Sequence, residues 1–401
     1  MARFTGSSSE RPGSPEAAGL SRAYLDYAGS APVDPRVVAV MRPFFEGGAG
    51  NPSAGHSLGL EARASLDGAR AKIARLVGGV ASGVIFTSSA TEANNLAVKG
   101  FAARDPRRHI ITSAIEHISV LNSCRELEKR GYAVSYLRVD TEGRIDPAAV
   151  ADALTSQTAL VSLQAASPEI GTVQRVRDVG RLLRGRGVTF HVDGVGAVGR
   201  VPLTVDECGI DLLSLSSNDL YGPPGAGALW VRPDTKLAPL IVGGGQEQGY
   251  RAGTENLPAV VGMGVAAELA RVERAAETAR LTALRDRLLD GIVATVPGAR
   301  VTGARGAERL PHHASVTVSG VKADAVVMDL DLRGIAVSSG SACTALTGEP
   351  SHVLRAIGCE PAAAEGSLCF TAGRWTSDAD IDAVLAALPA VVTRLRRLAG
   401  A

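Results

Sequence analysis

The sequence predicts an α/β protein: a mainly parallel sheet covered by helices on both faces, with a smaller C-terminal α/β domain behind it. Three observations lead there. Short β-rich runs alternate with amphipathic stretches up to residue 257, a long helix-like stretch then breaks the alternation, and a second α/β segment follows. Alternation of this kind sets parallel strands side by side through helical crossovers. With 401 residues, 45% of them hydrophobic, the chain is long enough for one large core and a smaller one.

Taken in order, residues 1–22 read as a disordered tail, because their Ser, Gly and Pro cannot bury enough apolar surface to offset the entropy of ordering. Order is expected from Tyr24-Leu25-Asp26-Tyr27 onward. Strands are expected at Gly83–Ser88, His109–Ala114, Ala133–Val139, Thr158–Gln164, Val188–Val192, Asp211–Ser216 and Gly227–Val231. Between them Leu60–Val77, Ala93–Ala103, Ser119–Lys129 and Val173–Gly185 carry helical spacing. Residues 23–257 are then expected to form a large domain, 258–290 a linking helix that contains the pattern Val260–Leu289, and 291–401 a small domain onto which residues near 23–45 are expected to pack. The last amphipathic pattern, Asp378–Leu398, contains Pro389, which is expected to kink or split it.

Charge and composition exclude several classes. A net charge of +1, with acids and bases interleaved, leaves no basic stripe for a nucleic acid. The longest apolar runs, Ala383–Val392 and Ala259–Ala267, fall short of the ~20 residues that span a bilayer. Met1–Glu16 lacks the apolar core of a signal peptide, so a cytoplasmic location is expected. Cys124, Cys208, Cys343, Cys359 and Cys369 are odd in number and widely spaced, which suggests neither a disulfide framework nor a metal site. Lysine is scarce: Lys72, Lys99, Lys129, Lys236 and Lys322 are all there are.

Candidate chemistry gathers at strand ends. Gly83–Ser88 runs into Ser89-Ala90-Thr91-Glu92 at the start of a helix, where backbone N–H groups face outward as a phosphate seat; the same residues also suit a plain N-cap. Glu116-His117, His191-Val192-Asp193 and Ser216–Pro223 follow three further strands, and such ends converge on one crevice in an open parallel sheet. A carboxylate to hold a protonated ring nitrogen and an imidazole to stack on the ring suit a pyridinium cofactor. Singly, His117 reads as a surface histidine at a helix cap and Asp193 as a turn residue.

Six ordered blocks make the resemblance specific. They are Tyr24-Leu25-Asp26-Tyr27-Ala28 with Pro32-Val33-Asp34-Pro35-Arg36; Gly50-Asn51-Pro52-Ser53 with His56; Thr91-Glu92-Ala93-Asn94-Asn95; Glu169-Ile170-Gly171-Thr172-Val173-Gln174; Gly243-Gly244-Gly245-Gln246-Glu247 with Arg251-Ala252-Gly253-Thr254-Glu255-Asn256; and Ser339-Gly340-Ser341-Ala342-Cys343. In these the chain resembles the cysteine desulfurases, class-V aminotransferases of the pyridoxal-phosphate fold type I. That resemblance implies a large domain with a mainly parallel seven-stranded sheet and a homodimer. It also implies phosphate contacts from Ala90, Thr91 and Ser216, ring stacking by His117, and Asp193 on the pyridine nitrogen. Thr254 would reach the phosphate of the neighbouring subunit, and Cys343, on a mobile loop, would carry sulfur as a persulfide.

The pocket departs from the pattern. Where the family has Ser-x-His-Lys, this chain has Ser216-Ser217-Asn218-Asp219, so the Schiff-base lysine, nucleophile and base in turn, is replaced by Asp219. Gly196 stands for a glutamine, Ser167-Pro168 for two asparagines, and Cys369 for the arginine that clamps the substrate carboxylate, leaving Arg374 as the remaining candidate. Three readings stay open. The chain is a sulfur relay or scaffold subunit, homodimeric or paired with an active paralogue, exchanging sulfur with a donor or acceptor protein through Cys343, with or without cofactor. Or it is a lysine-free enzyme that holds pyridoxal or pyridoxamine phosphate without a covalent bond and takes another amino-acid substrate. Or it is a cysteine desulfurase working by a different route.

Overall fold

A computed structural model describes residues 22–47, 50–340 and 351–400. All seven expected strands are present: β1 (Val84–Thr87), β2 (His109–Ser113), β3 (Ala133–Leu137), β4 (Thr158–Gln164), β5 (Thr189–Asp193), β6 (Leu212–Ser216) and β7 (Gly227–Val231). They form one sheet in the order β1-β7-β6-β5-β4-β2-β3. Only β7 runs against its neighbours β1 and β6; the other pairs are parallel. Six strands are buried almost throughout, and the edge strand β3 is half exposed, which is why apolar runs rather than alternation mark this sheet.

Helices α1 (Ser57–Val77), α2 (Ala90–Asn95, continuing through a π-turn at Leu96–Gly100) and α3 (Ile118–Glu128) pack on the sheet. The helix expected at Val173–Gly185 begins only at Val176. Val173 is bridged to Ala166 and Gln174 N–H donates to the Ala165 carbonyl at 2.8 Å, so these residues are spent on an extended contact. A second correction concerns α5 (Asp378–Leu398), which passes through Pro389 without being split. Its apolar face, including Leu388 and Val391 on either side of the proline, is buried, and that burial outweighs the lost hydrogen bond.

Helix α4 (Leu257–Thr295) spans two separate cores. Met263, Ala266 and Ala267 belong to the core of the large sheet, Leu284, Leu288 and Ile292 to a second core. That second core lies against an antiparallel sheet of β8 (Ala299–Val301), β9 (His313–Val318), β10 (Ser338–Ser339) and β11 (Ser367–Thr371), ordered β10-β11-β9-β8. Leu25 is buried in it as well, and Ala23–Tyr24 pairs in parallel with Ile335–Ala336, so the first described residues join the C-terminal part of the chain.

Two buried arginines fasten loops to this frame. Arg70 of α1 makes a two-pronged pair with Glu247 at 2.9 and 2.7 Å, and the same carboxylate accepts from Phe86 N–H at 2.7 Å. Glu247 and Gln248 both hold left-handed backbone, at φ 47° and 59°. Arg309 spreads its fork over the carbonyls of Thr302, Ala304, His313 and Ile170 and the hydroxyl of Ser315, all at 2.7–2.9 Å. Replacing Arg309 by methionine leaves these buried acceptors without donors and is expected to destabilise the protein by about 3 kcal/mol or more, read as a lower urea midpoint. Arg309→Lys is expected to recover little of it, because one ammonium cannot span the set.

Candidate active site

The carboxyl edges of the strands meet at one place. Thr87 and Ser216 both pair with Gly227, where β1, β7 and β6 come together. A side chain at Gly227 would stand 2.5 Å from the Ser89 backbone carbon and 2.9 Å from Ala90 N, so only glycine lets the start of α2 settle against the sheet. Ser89 caps α2 by accepting from Glu92 N–H at 3.2 Å, and the N–H groups of this first turn form an anion seat beside the Thr91 side chain. Glu92 accepts from Ser88 at 2.8 and 2.6 Å and from Arg251 at 3.0 Å, which ties the loop carrying Thr254 to the seat.

From that edge a hydrogen-bonded chain crosses the crevice. Asp193, at the end of β5, accepts from Val195 N–H at 3.1 Å and from Asn94 at 2.7 Å; Asn94 also donates to Ser119 at 2.9 Å, and Ser119 lies 2.7 Å from Nδ1 of His117. His117 is itself the cap of α3, its Nδ1 accepting from Ser119 N–H. The carboxylate and the imidazole are thereby fixed relative to one another before anything binds.

Asp219 sits on a single turn, Asn218–Leu220, directly after β6, while Ser216 donates to Asn218 at 2.6 Å. The next residue, Tyr221, is left-handed at φ 63°. Burial raises the Asp219 carboxyl above its usual range, and Arg200, 3.7 Å away, works against that shift. None of the five lysines lines the crevice. Lys99 pairs with Glu126 at 3.1 Å, and Lys236 follows β7, whose reversed direction carries it to the opposite edge of the sheet.

Two cavities flank this region. One, of about 140 Å³, is bounded by Asp26, Glu116, His117, Glu169 and Cys369. Cys369 lies on β11 with its sulfur 3.2 Å from Nε2 of His313. That nitrogen is also 2.9 Å from the Pro168 carbonyl, an acceptor only, so it carries the hydrogen and Cys369 is not activated by it. Burial pushes the Cys369 thiol further up. The other cavity contains Asp219, Arg200, Tyr221, Glu273 and Arg374. Arg374 lies over the Tyr221 ring at 4.7 Å and is paired with Asp34 and Glu273, so it does not reach the first cavity.

Of the residues expected from sequence, the structure brings together Ala90, Thr91, His117, Asp193 and Ser216 at the carboxyl ends of the strands, puts Cys369 in the wall of the cavity that His117 lines, and puts Asp219 in the other cavity. Thr254 is exposed, away from its own chain's cavity, and Cys343 lies outside the described residues. The sequence reading gave no role to Asn94 and Glu169, although both stand in the motif blocks, nor to Ser119 and Arg200. Asn94 left a signal, a polar residue inside a helical apolar pattern; Arg200 left none, since only the fold brings it to Asp219.

Glu169, partly buried beside Ser351, has its pKa raised from 4.5 to about 7 by burial, against the Ser351 hydrogen bond. A carboxyl raised in the folded state contributes stability that is complete below pH 4.5 and disappears as the pH climbs through about 7. Relative to Glu169→Gln, the natural protein is expected to lose up to about 3 kcal/mol between these limits, measured by denaturant unfolding at a series of pH values.

Residues 23–384 match the family Aminotransferase class-V. Cysteine desulfurase IscS 1 of Archaeoglobus fulgidus is 43% identical over 377 residues, covering 94% of this chain and 98% of that protein. Cysteine desulfurase IscS of Dictyoglomus turgidum is 42% identical over 377 residues, covering 94% and 95%. A solved NifS-like protein superposes with a TM-score of 0.87 at 32% identity, over 93% of this chain and all of that one. The architecture is the pyridoxal-phosphate fold type I, and with these relatives the chain belongs to the cysteine desulfurase family of the class-V aminotransferases.

Proposed function

We propose that this is a cysteine-desulfurase-like protein of sulfur metabolism that lacks ordinary desulfurase turnover and acts as a sulfur relay or scaffold subunit through Cys343. The reading rests on Asp219, which lies on the turn after β6, faces Arg200 and has no lysine near it. A carboxylate cannot form the carbon–nitrogen bond that a lysine makes to the cofactor, and at that place it does not replace an amine that is nucleophile and base in turn. Cys369 in the cavity wall removes a substrate clamp in the same stroke.

The crevice still suits a phosphorylated pyridine held without a covalent bond. Asp193 is oriented by Asn94, the N–H groups at Ala90 and Thr91 face outward, and His117 is fixed by Ser119. When bound, pyridoxal or pyridoxamine phosphate would supply an electron sink. This favours a second reading, a lysine-free enzyme acting on another amino-acid substrate. Leu240, Ile241 and Val242 are exposed at 41, 43 and 79% in the segment leading to Thr254, a patch that supports a subunit contact with a second copy or an active paralogue. No described helix is long and apolar enough to cross a membrane.

Incubation with an active desulfurase and cysteine is expected to leave one added sulfur on Cys343, read by mass spectrometry; an unmodified Cys343 overturns the relay. Titration with either vitamer is expected to shift the thermal midpoint and the cofactor's absorption, without a lysine-linked product after borohydride reduction. No shift with either vitamer removes the second reading. Asp219→Lys combined with Cys369→Arg is expected to restore a borohydride-trapped lysine adduct.

A further inference from the structure

The hydrogen bonds that run from Asp193 to His117 have a direction, and the donor capacity of each group fixes it. A carboxylate only accepts, so the atom of Asn94 that stands 2.7 Å from Asp193 is the amide nitrogen. Turned the other way, Asn94 would set its carbonyl oxygen against that carboxylate. The same nitrogen stands 2.9 Å from Ser119 Oγ, and its second hydrogen is spent there. Asn94 is buried and its Oδ1 has no partner, so the amide gives both hydrogens away and receives none.

Ser119 Oγ has one hydrogen of its own. The amide nitrogen cannot accept it, and Nδ1 of His117, 2.7 Å away, can. A second donor arrives at the same nitrogen: the Ser119 backbone N–H at 3.2 Å, the bond by which His117 caps α3. With two hydrogens directed at it, Nδ1 is the bare nitrogen of the ring. In a neutral imidazole the ring hydrogen is then on Nε2. Nε2 meets no partner among the described residues and is not among the atoms sealed off by burial, and His117 lines the cavity of about 140 Å³.

We propose that Asn94 and Ser119 are positioning residues that hold His117 as its Nε2–H tautomer, so that this imidazole meets a molecule in the cavity as a hydrogen-bond donor and not as a base. The Asp193 carboxylate sets the polarity at one end of the chain and the first turn of α3 sets it at the other. A group held beside Nε2 finds no lone pair there. To take up a proton His117 has to receive it at Nδ1, where the Ser119 hydroxyl must first reverse. The proposal concerns donors and acceptors within this chain, so it stands apart from the relay through Cys343 and from cofactor binding, and its failure leaves both readings as they are.

Neutron diffraction from deuterium-exchanged crystals of the whole chain, at about pH 8.5 and so well above the ordinary histidine value, reads these hydrogens directly. Deuterium is expected on Nε2 of His117 and not on Nδ1, with the Ser119 hydroxyl deuterium pointing at Nδ1. Deuterium on Nδ1, or a Ser119 hydroxyl directed elsewhere, overturns the proposal. Nitrogen-15 NMR of histidine-labelled protein at the same pH follows the variants. Ser119→Ala and Asn94→Ala are each expected to lower the ratio of Nε2–H to Nδ1–H at His117 at least about threefold, the worth of one such hydrogen bond. Ser119→Thr, which keeps the hydroxyl, is expected to retain the ratio, and the His109 and His191 signals to stay in place in all three. An unchanged ratio in Ser119→Ala, or in a folded Asn94→Ala, overturns the positioning role. If Asn94→Ala does not fold, Ser119→Ala against Ser119→Thr decides it alone.

Discussion

The guanidinium of Arg309 is where the two sheets become one molecule. It gathers the carbonyl of Ile170, from the loop after β4, with the carbonyls of Thr302, Ala304 and His313 around the second sheet. Among the described residues no carboxylate pairs with it. Burial and the neighbouring Arg285 lower its pKa to about 10, so it remains charged at neutral pH and spends that charge on backbone carbonyls and the Ser315 hydroxyl. Such a junction is directional in a way that apolar packing is not, and it sets the loop Glu169–Gln174 against β9, whose neighbour β11 carries Cys369. Glu169 and Cys369 face one cavity because of this.

The large sheet was legible because its strands are buried on both faces and read as short continuous apolar runs bounded by turns. The edge strand β3 shared that legibility only through its place in the alternation. The second sheet was opaque for a physical reason: Ala299–Val301 and Ser338–Ser339 are too short to carry a period, and their pairing with distant strands is a product of tertiary packing. Pro389 misled in the other direction, since a local rule about backbone donors is overridden where residues on either side of the proline, Leu388 and Val391, are buried in a core.

Within the site, ends of strands were readable and the connections between them were not. Asp193 and His117 could each be picked out, but the path through Asn94 and Ser119 joins residues from three different elements. Asp219 could be seen as a changed residue, yet its partner could not. Arg200 and Asp219 lie on the opposite side from Cys369 and Glu116, so the substitutions at positions 219 and 369 alter two separate compartments rather than one. One compartment exchanges a cation for an internal ion pair. The other has a neutral thiol in its wall.

The pairing of Arg70 with Glu247 has a consequence for assembly. Glu247 holds a left-handed backbone that few side chains adopt, and it does so because α1 and β1 grip its carboxylate from within the same chain. The segment running on to Arg251 and Thr254 is therefore shaped before any other subunit arrives. Docking onto it would immobilise little that is not already fixed, so association can be fast and its affinity need not be spent on ordering. A surface made ready in this way can also be met by a related subunit as easily as by an identical one, which makes exchange of partners a matter of supply rather than of refolding.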